Sequence, residues 1–305
     1  MKKTVSGVII LVLIIYLGAG WFFSGMIING GNRGYDEAEE QERLINAGLT
    51  EMPARESVRI ASGNVTLAGS FYENPSEGNC AVILLPGRGG QRAGTMRVAP
   101  VFWERNCDIL AYDLRGSGES SVSYHTYGYY DKEDASAAIT WLSNRTSLAP
   151  NQIGIWGGSY GSAVALQTLG ERDDLGFVVA DSTFSSLESI VTEHGTRMMG
   201  SWVTPFVPGA LFFADIRADF EPDEVSIAST VANTNTPILL IHGVEDHVNS
   251  VSHSEIIYAT SNHDTTVLAI TDWGPGHVSS IRHDYDAYAE LVYAFFDSHI
   301  PALLR

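Results

Sequence analysis

Short apolar runs that favour β-strands alternate with helical patterns along most of this 305-residue chain. Because such runs have no polar face, they are typical of strands buried on both sides in a parallel sheet. They lie at 81–85, 108–112, 153–156, 177–180, 237–241 and 266–270, and helical patterns lie at 96–104, 131–142, 160–169, 252–260 and 285–296. Two earlier runs, 57–62 and 65–72, predict a hairpin. The alternation predicts an α/β fold with a mostly parallel sheet of about eight strands flanked by helices.

The run at 153–156 continues directly into Gly157-Gly158-Ser159-Tyr160-Gly161 and then into a helical pattern. A Gly-x-Ser-x-Gly pentapeptide is a weak signal alone, but a strand before it and a helix after it are the context in which it forms a sharp nucleophile turn. Glycines at both ends remove side chains where the strand and helix backbones approach each other. Ser159, at the N-terminus of the helix, is therefore the candidate nucleophile.

Motifs after five of the predicted strands resemble those of the α/β-hydrolases. They are LLPGRGG at 84–90, YDLRGSGES at 112–120, GGSYG at 157–161, IHGVEDHV at 241–248 and GPGH at 274–277. With the early hairpin they cover roughly residues 52–300, and the chain is most similar to membrane-anchored abhydrolase-domain proteins with a small cap. In this superfamily the catalytic residues follow in the order serine, acid, histidine. The resemblance implies the α/β-hydrolase fold, serine hydrolase activity and the triad Ser159, Asp246 and His277.

The nine histidines differ in how well they suit the role of catalytic base. A serine hydroxyl is a weak nucleophile at neutral pH, so it requires a base within hydrogen-bonding reach. His277 alone follows the last predicted strand in a Gly-Pro-Gly turn, from which a loop can bring it over the serine. We expect no catalytic role for His253, His263 or His283, and a structural role for His242.

Asp246 follows the seventh predicted strand, in the loop where the family keeps the carboxylate that orients the histidine. The neighbouring Glu245 is expected to point elsewhere on that turn. Asp181, after the sixth predicted strand, is the alternative acid, because some hydrolases place the carboxylate there.

By resemblance, the oxyanion hole consists of the backbone amides of Tyr160 and Arg88. The chain has Pro86-Gly87 where most relatives have His-Gly, a departure that bears on the Arg88 assignment and leaves the triad unaffected. Two roles stay open for the Arg88 side chain, which are an ordinary surface position and a contact with an anionic substrate.

A small cap is expected around 182–236, between the sixth and seventh predicted strands, and it contains the apolar stretch MMGSWVTPFVPGALFF. Packing in the core is one explanation of this stretch. The other is that Met198, Met199, Trp202 and Phe206 line an acyl pocket or face a bilayer.

Residues 7–28 carry no charge, and as a helix they would reach roughly 33 Å, enough to cross a bilayer. Lys2 and Lys3 before them predict a cytoplasmic N-terminus and an extracytoplasmic catalytic domain. A cleaved signal peptide is the alternative, which would give a secreted or periplasmic protein. The expected organisation is an anchor or signal at 1–30, a polar stalk at 31–54 with a short acidic helix near 37–47, and the hydrolase domain at 55–305.

The formal net charge is −18, from 36 acidic and 18 basic residues. A chain this acidic should repel nucleic acid, and we therefore expect no nucleic-acid partner. The turn 113–118 lacks the third glycine and the helix of a dinucleotide loop, and we expect structural hydrogen bonds from Asp113 and Arg115 instead. No spacing suggests a metal or nucleotide site, so no cofactor is expected.

Cys80 and Cys107 each precede a run that predicts one of two neighbouring strands. They can therefore form a disulfide in an oxidising compartment, the alternative being two buried thiols.

The sequence favours a hydrolase of carboxylic esters or thioesters that acts through an acyl-enzyme on Ser159, with a small-molecule or lipid-like acyl ester as substrate. A serine peptidase similar to the prolyl-oligopeptidase group is the second hypothesis. The third is an inactive hydrolase fold used for binding, whose usual sign is a missing triad residue. The oligomeric state stays open.

Overall fold

A computed structural model describes residues 2–49, 55–76, 78–274 and 276–304 of the chain. In that part of the chain one eight-stranded sheet forms the centre of the molecule. Its strands are β1 (Glu56–Ser62), β2 (Val65–Tyr72), β3 (Cys80–Leu85), β4 (Cys107–Tyr112), β5 (Ile153–Gly158), β6 (Phe177–Asp181), β7 (Ile238–Gly243) and β8 (Thr266–Thr271). Their spatial order is β1-β2-β4-β3-β5-β6-β7-β8.

Strands β1 and β2 form an antiparallel hairpin, and β2 also pairs antiparallel with β4. All other strand pairs are parallel. The predicted α/β-hydrolase fold class is confirmed. Every residue of β3, β5, β6 and β7 is buried, as the wholly apolar runs predict. The last strand, β8, is largely half-exposed because it lies at the edge of the sheet with one neighbour.

Eleven α-helices lie in the described part of the chain. They are α1 (Lys2–Ile28), α2 (Glu37–Asn46), α3 (Ala99–Trp103), α4 (Asp131–Thr146), α5 (Tyr160–Thr168), α6 (Leu187–Met199), α7 (Val207–Ala218), α8 (Ile227–Val231), α9 (Ser252–Thr260), α10 (Ser280–His283) and α11 (Tyr285–His299). Two apolar cores result, one containing side chains of α4 and α5 and the other side chains of α3 and α11. Helices therefore cover both faces, as a parallel sheet requires.

The segment interpreted as a stalk packs on the domain over its described residues, and residues 50–54 lie outside them. Asp36 caps the N-terminus of α2 through its side chain. Glu40 of this helix is buried and accepts hydrogen bonds from the hydroxyls of Ser70 and Tyr72 in β2. The acidic helix is thus tied to the sheet by a buried carboxylate.

The insertion between β6 and β7 contains α6, a 3₁₀ segment (Ser201–Phe206), α7 and α8, and we call α6 to α7 the cap. The second half of α1 packs on it. A β-carbon on Gly20 would lie 3.0 Å from the backbone of Gly209 in α7. Tyr16 stacks on Phe206 with ring centroids 5.6 Å apart. The N-terminal helix is therefore part of the folded domain at its C-terminal end.

Cys80 and Cys107 are directly opposite each other in the β3–β4 pair and form a disulfide. The bridge considered from the sequence is present.

Candidate active site

Ser159 lies at the carboxyl end of β5, on the sharp turn into α5. Its backbone angles, φ 56° and ψ −118°, are rare for a residue with a side chain. The turn requires glycine on either side, because a β-carbon on Gly157 would lie 2.2 Å from the carbonyl oxygen of Gly161, and one on Gly161 would lie 2.4 Å from that of Leu85. The amide of Ser159 is held by the carbonyl oxygen of Asp181, 2.8 Å away. The Gly-x-Ser-x-Gly motif thus forms the strained turn that its context predicts.

The structure brings Asp246 and His277 together. Nδ1 of His277 lies 2.7 Å from Oδ2 of Asp246. The other carboxylate oxygen accepts from the backbone amides of Val248 at 2.7 Å and Asn249 at 2.9 Å. Burial alone would raise the pKa of the Asp246 carboxyl, but hydrogen bonds from His242 and His277 hold it well below its usual range. Asp246 is therefore an ionised carboxylate that fixes the orientation of the His277 ring.

The residue after His277 is anchored to the sheet. The amide of Val278 donates to the hydroxyl oxygen of Ser182 at 3.0 Å, and that hydroxyl donates to the Asp181 carboxylate. Val278 and Ser182 both have positive φ, 46° and 57°, which is costly for a β-branched valine. Sequence reasoning missed this support, since nothing in the local sequence marks Ser182 as a partner of residue 278. Pro275, in the predicted Gly-Pro-Gly turn, lies outside the described residues.

The alternative acids lie elsewhere. Asp181 is buried, where desolvation raises its pKa, and its carboxylate accepts from Ser182 and from the Tyr288 hydroxyl at 3.1 Å. Glu245 is exposed. His242 is fully buried, with Nδ1 2.7 Å from the Ser254 hydroxyl and Nε2 3.0 Å from the carbonyl oxygen of Asn249. His242 thus occupies the structural position expected of it.

The loop of Gly87 and Arg88 faces the serine, since a β-carbon on Gly87 would lie 3.9 Å from Oγ of Ser159. Among the described residues, we find no acceptor for the amide N–H of Arg88 or of Tyr160. The Tyr160 side chain points away from solvent, and its hydroxyl lies 3.1 Å from Asp131. Two amides without acceptors next to a serine are the arrangement that an oxyanion hole requires.

The side chain of Arg88 does not match the ordinary surface position considered from the sequence. Its Nη2 donates to three backbone carbonyl oxygens at the end of α1, those of Met26 at 2.6 Å, Ile27 at 2.7 Å and Asn29 at 3.0 Å. These carbonyls have no partner within the helix, and a cation at a helix C-terminus is stabilising. Arg88 therefore joins α1 to the loop beside Ser159.

Two adjoining cavities lie near the carboxyl ends of the parallel strands. The catalytic cavity has about 1140 Å³ of empty space, part of it open solvent, and both Ser159 and His277 line it. The apolar cavity has about 750 Å³ of empty space, also partly open solvent, and lies between the end of α1 and the cap. Arg88 and His194 line both cavities.

Three of the four residues predicted for an acyl pocket line the apolar cavity, namely Met198, Met199 and Phe206. Trp202 does not line it. Its ring packs on Phe206 and its side chain is 60% exposed. Residues of α1, among them Phe23 and Met26, complete the wall, which the sequence did not predict.

The other sequence-predicted polar residues have structural partners. Asp113 accepts from the amides of Arg92 and Glu119, and Arg115 pairs with Asp134 at 2.7 Å. In the described ranges, no group of three or more His, Cys, Asp or Glu side chains is arranged to hold a metal ion.

Comparison with known proteins agrees with this architecture. The model of the prolyl oligopeptidase family matches residues 95–302. YqkD of Bacillus subtilis is 26% identical over 75% of this chain and 74% of its own length. An esterase of Pyrococcus furiosus has the same fold, with a TM-score of 0.69, 23% identity, and coverage of 88% of this chain and 98% of the esterase. An acylaminoacyl peptidase of Pyrococcus horikoshii has a TM-score of 0.65 and 19% identity, over 83% of this chain and 42% of the peptidase.

Proposed function

Because this chain belongs to the prolyl oligopeptidase family and is a serine hydrolase of the α/β-hydrolase fold, we propose that it cleaves carboxylic ester or thioester bonds through an acyl-enzyme on Ser159. The observation that carries the proposal is the contact between Asp246 and His277 beside a strained serine in one cavity. A serine without an oriented base would be inert at neutral pH.

In this mechanism the Ser159 oxygen attacks the acyl carbonyl while Nε2 of His277 takes the hydroxyl proton. Asp246 stabilises the imidazolium that forms, and the amides of Arg88 and Tyr160 hold the negative oxygen of the tetrahedral intermediate. The leaving alcohol or thiol departs with the proton from His277. Water then gives a proton to His277 as its oxygen attacks the acyl carbon. The bond between this carbon and the Ser159 oxygen breaks, the serine oxygen takes the proton back from His277, and the acid is released.

Replacing the nucleophile tests this proposal. Ser159→Ala should keep the fold, measured by circular dichroism, and lose turnover of p-nitrophenyl butyrate and labelling by a fluorophosphonate probe. Ser162→Ala is a suitable control, because the Ser162 hydroxyl donates its hydrogen bond to the backbone carbonyl oxygen of Ser159. Turnover by the Ser159→Ala protein at the wild-type rate would refute the assignment.

The bond that is cleaved requires a matched comparison, because an esterase and a peptidase both share this fold. We expect the p-nitrophenyl ester of an N-protected amino acid to be cleaved and the corresponding p-nitroanilide to resist. Faster cleavage of the anilide would replace the ester assignment with a peptidase.

We further propose that α1 is a membrane anchor and not a removed signal peptide. The stretch Val5–Ile28 is apolar enough to cross a bilayer. The sites at which a peptidase could cut lie around Gly18–Gly20, and residues on the removed side pack on the cap, as Tyr16 does on Phe206. The disulfide between Cys80 and Cys107 suits an oxidising, extracytoplasmic location of the domain.

The length of α1 then requires the cap to enter the bilayer. The hydrocarbon layer is about 30 Å thick, whereas the part of the span that precedes its contacts with the cap, residues 5–15, reaches only about 16 Å. The remaining depth of the leaflet lies beside the cap. Exposed apolar side chains occur there, including Met198, Trp202, Phe212 and Ile216. Arg217 lies further along α7 and binds the carbonyl oxygen of Trp21, near the end of the span where a charge meets water.

Thiol accessibility tests this immersion. The chain's two cysteines are paired, so an introduced cysteine is the only reactive thiol. In phosphatidylcholine vesicles, Trp202→Cys should resist a water-soluble maleimide and react after detergent is added. Asp173→Cys is the control and should react in vesicles. Asp173 is exposed in the loop before β6, at the amino ends of the parallel strands and thus opposite the end where Ser159 lies. Equal reaction at both positions in vesicles would contradict immersion.

The apolar cavity is then suited to the acyl chain of the substrate, because it shares Arg88 and His194 with the catalytic cavity and is also lined by the exposed Met198. Met199→Trp should narrow it and reduce hydrolysis of p-nitrophenyl decanoate relative to the butyrate. Ile216→Trp adds similar bulk on the exposed face of α7 and serves as control. An unchanged ratio of the two rates in Met199→Trp would exclude the cavity as acyl site.

A further inference from the structure

Positive charge is concentrated at the catalytic cavity of a chain whose formal net charge is −18. Among the described residues that line this cavity, Glu39 is the only acidic one. The lining contains five arginines, Arg33, Arg43, Arg88, Arg97 and Arg282. Since the protein has twice as many acidic as basic residues, an arginine-rich cavity is not explained by composition.

Most arginines elsewhere in the described chain have a carboxylate partner. Nine of the fourteen described arginines lie within 4.0 Å of one. The five described arginines without such a partner are Arg33, Arg88, Arg97, Arg217 and Arg282. Four of these five line the catalytic cavity. The unpaired positive charge is therefore gathered where a substrate would bind.

Arg97 is the most deeply placed of the four. Burial, together with the nearby charge of Arg282, lowers the pKa of its guanidinium to about 10, so it still carries its charge at neutral pH. Its Nη1 donates to the carbonyl oxygen of Gly94 at 2.7 Å, while its Nε is buried and has no hydrogen-bond partner among the described residues. Two neighbouring guanidinium groups repel each other, and an anion placed between them would remove that cost.

We propose that the arginines of the catalytic cavity bind a phosphate or carboxylate group on the leaving part of the substrate. This inference rests on the proposed esterase function. The acyl part has an apolar cavity of its own on the cap side, so the alcohol or thiol part lies in the arginine-lined cavity. The substrate class is then an acyl ester or thioester with an anionic leaving group, and guanidinium groups bind both kinds of anion through paired N–H donors.

A pair of esters that differ in one charge tests the proposal. The butyrate ester of 4-hydroxybenzoate has an anionic leaving group, and its methyl ester is the neutral counterpart. After each kcat/KM is divided by the rate of alkaline hydrolysis, the wild type should prefer the anion. The double variant Arg33→Gln/Arg282→Gln removes two exposed charges, and the preference should fall about fivefold. Added salt should lower the wild-type preference as well.

Arg59→Gln/Arg145→Gln is the matched control, because both arginines are exposed, the variant loses the same two charges and neither residue lines the cavity. Its preference should equal that of the wild type. Absence of an anion preference in the wild type, or an equal fall in Arg59→Gln/Arg145→Gln and Arg33→Gln/Arg282→Gln, would overturn the proposal.

Binding without turnover separates this inference from the esterase proposal. Inorganic phosphate should raise the Tm of the Ser159→Ala protein, and the Arg33→Gln/Arg282→Gln changes should abolish that rise. If phosphate binds in this way but neutral esters are not cleaved by the wild type, the esterase proposal fails and the anion site stands. If neutral esters are cleaved and phosphate has no arginine-dependent effect, the anion site fails alone.

Discussion

Replacing the carboxylate of Asp246 by the isosteric amide is the most informative perturbation of the candidate active site. Oδ1 accepts from two backbone amides, and Oδ2 faces Nδ1 of His277 at 2.7 Å and Nε2 of His242 at 3.3 Å. Nε2 of His242 also faces the carbonyl oxygen of Asn249, so this nitrogen carries a hydrogen. All four contacts of the carboxylate are therefore with N–H donors, and an amide can accept on one side only.

Both orientations of the amide in Asp246→Asn are unfavourable. With its nitrogen towards the histidines, it meets the N–H of His242, and Nδ1 of His277 must become the acceptor. The His277 proton then moves to Nε2, the atom that has to accept the Ser159 proton. With its nitrogen towards the loop, it opposes the amides of Val248 and Asn249, each of which loses its partner at about 1–3 kcal/mol. No negative charge remains to stabilise the imidazolium.

We expect kcat of Asp246→Asn to fall by about 10³ to 10⁴, which is roughly 4 to 5.5 kcal/mol of transition-state stabilisation. The assay is hydrolysis of p-nitrophenyl butyrate, with circular dichroism to check the fold. Glu245→Gln removes the same charge at the neighbouring exposed position and should retain wild-type activity. A loss below tenfold in Asp246→Asn would refute the assignment of Asp246 as the orienting acid.

Asp246→Asn should also change how the free energy of unfolding depends on pH. The folded pKa of Asp246 lies below its unfolded value, so its contribution to stability is present above about pH 4 and is lost as the pH falls towards the folded pKa. Asp246→Asn has no such dependence. Urea unfolding should show a stability difference between the two proteins that is larger at pH 6 than at pH 3. A difference that grows in acid would show that the carboxylate is not stabilised by its partners.

Three further outcomes follow from local contacts. Gly161→Ala should abolish turnover of p-nitrophenyl butyrate and lower the Tm, because the new β-carbon would lie 2.4 Å from the carbonyl oxygen of Leu85. A turnover assay and thermal unfolding followed by circular dichroism check the two effects. Reduction of the Cys80–Cys107 disulfide, which spans 27 residues, should lower the free energy of unfolding by about 3.5 kcal/mol by the chain-entropy argument. The protein alkylated after reduction should have a higher mass than the protein alkylated without reductant. Arg88→Met removes the donor to three carbonyl oxygens of α1, so it should lower the Tm of the detergent-solubilised protein, whereas Arg88→Lys should restore part of it.

The fold was predictable because the strands are buried on both faces and differ visibly from the helices that separate them. The strands β3 to β7 are buried almost throughout, and their apolar runs alternate visibly with helical patterns. The strands β1 and β2 form the predicted hairpin. The exposed side chains of β8 were not predicted, because an apolar run does not indicate whether its strand has one neighbour or two. The packing of α2 on the sheet also escaped prediction, since it depends on a carboxylate, Glu40, that is buried among hydroxyl groups.

The site was predictable wherever backbone geometry restricts the choice of residue. A strand, two glycines at fixed spacing and a helix define the turn that carries Ser159. The order of motifs along the chain led to Asp246 and His277, whose side chains are in contact. Ser182 could not be predicted, because its hydroxyl serves an amide 96 residues away and the partner is a backbone group that any residue would offer.

The contact between α1 and the cap was beyond prediction for a different physical reason. Side chains that face lipid and side chains that face an apolar protein surface have the same composition, so an uncharged run does not reveal which of its faces meets protein. Helices that associate in a membrane do so through small residues, because these allow the backbones to approach. Gly20 and Gly209 meet in this way, and a β-carbon on either would lie about 3 Å from the other helix. Glycine within an apolar helix was thus the available signal, and Arg88, which binds the end of this helix, lines the same cavity as Ser159. A helix that only tethered the domain would need neither contact, whereas α1 also forms part of the wall of the apolar cavity that adjoins the candidate active site.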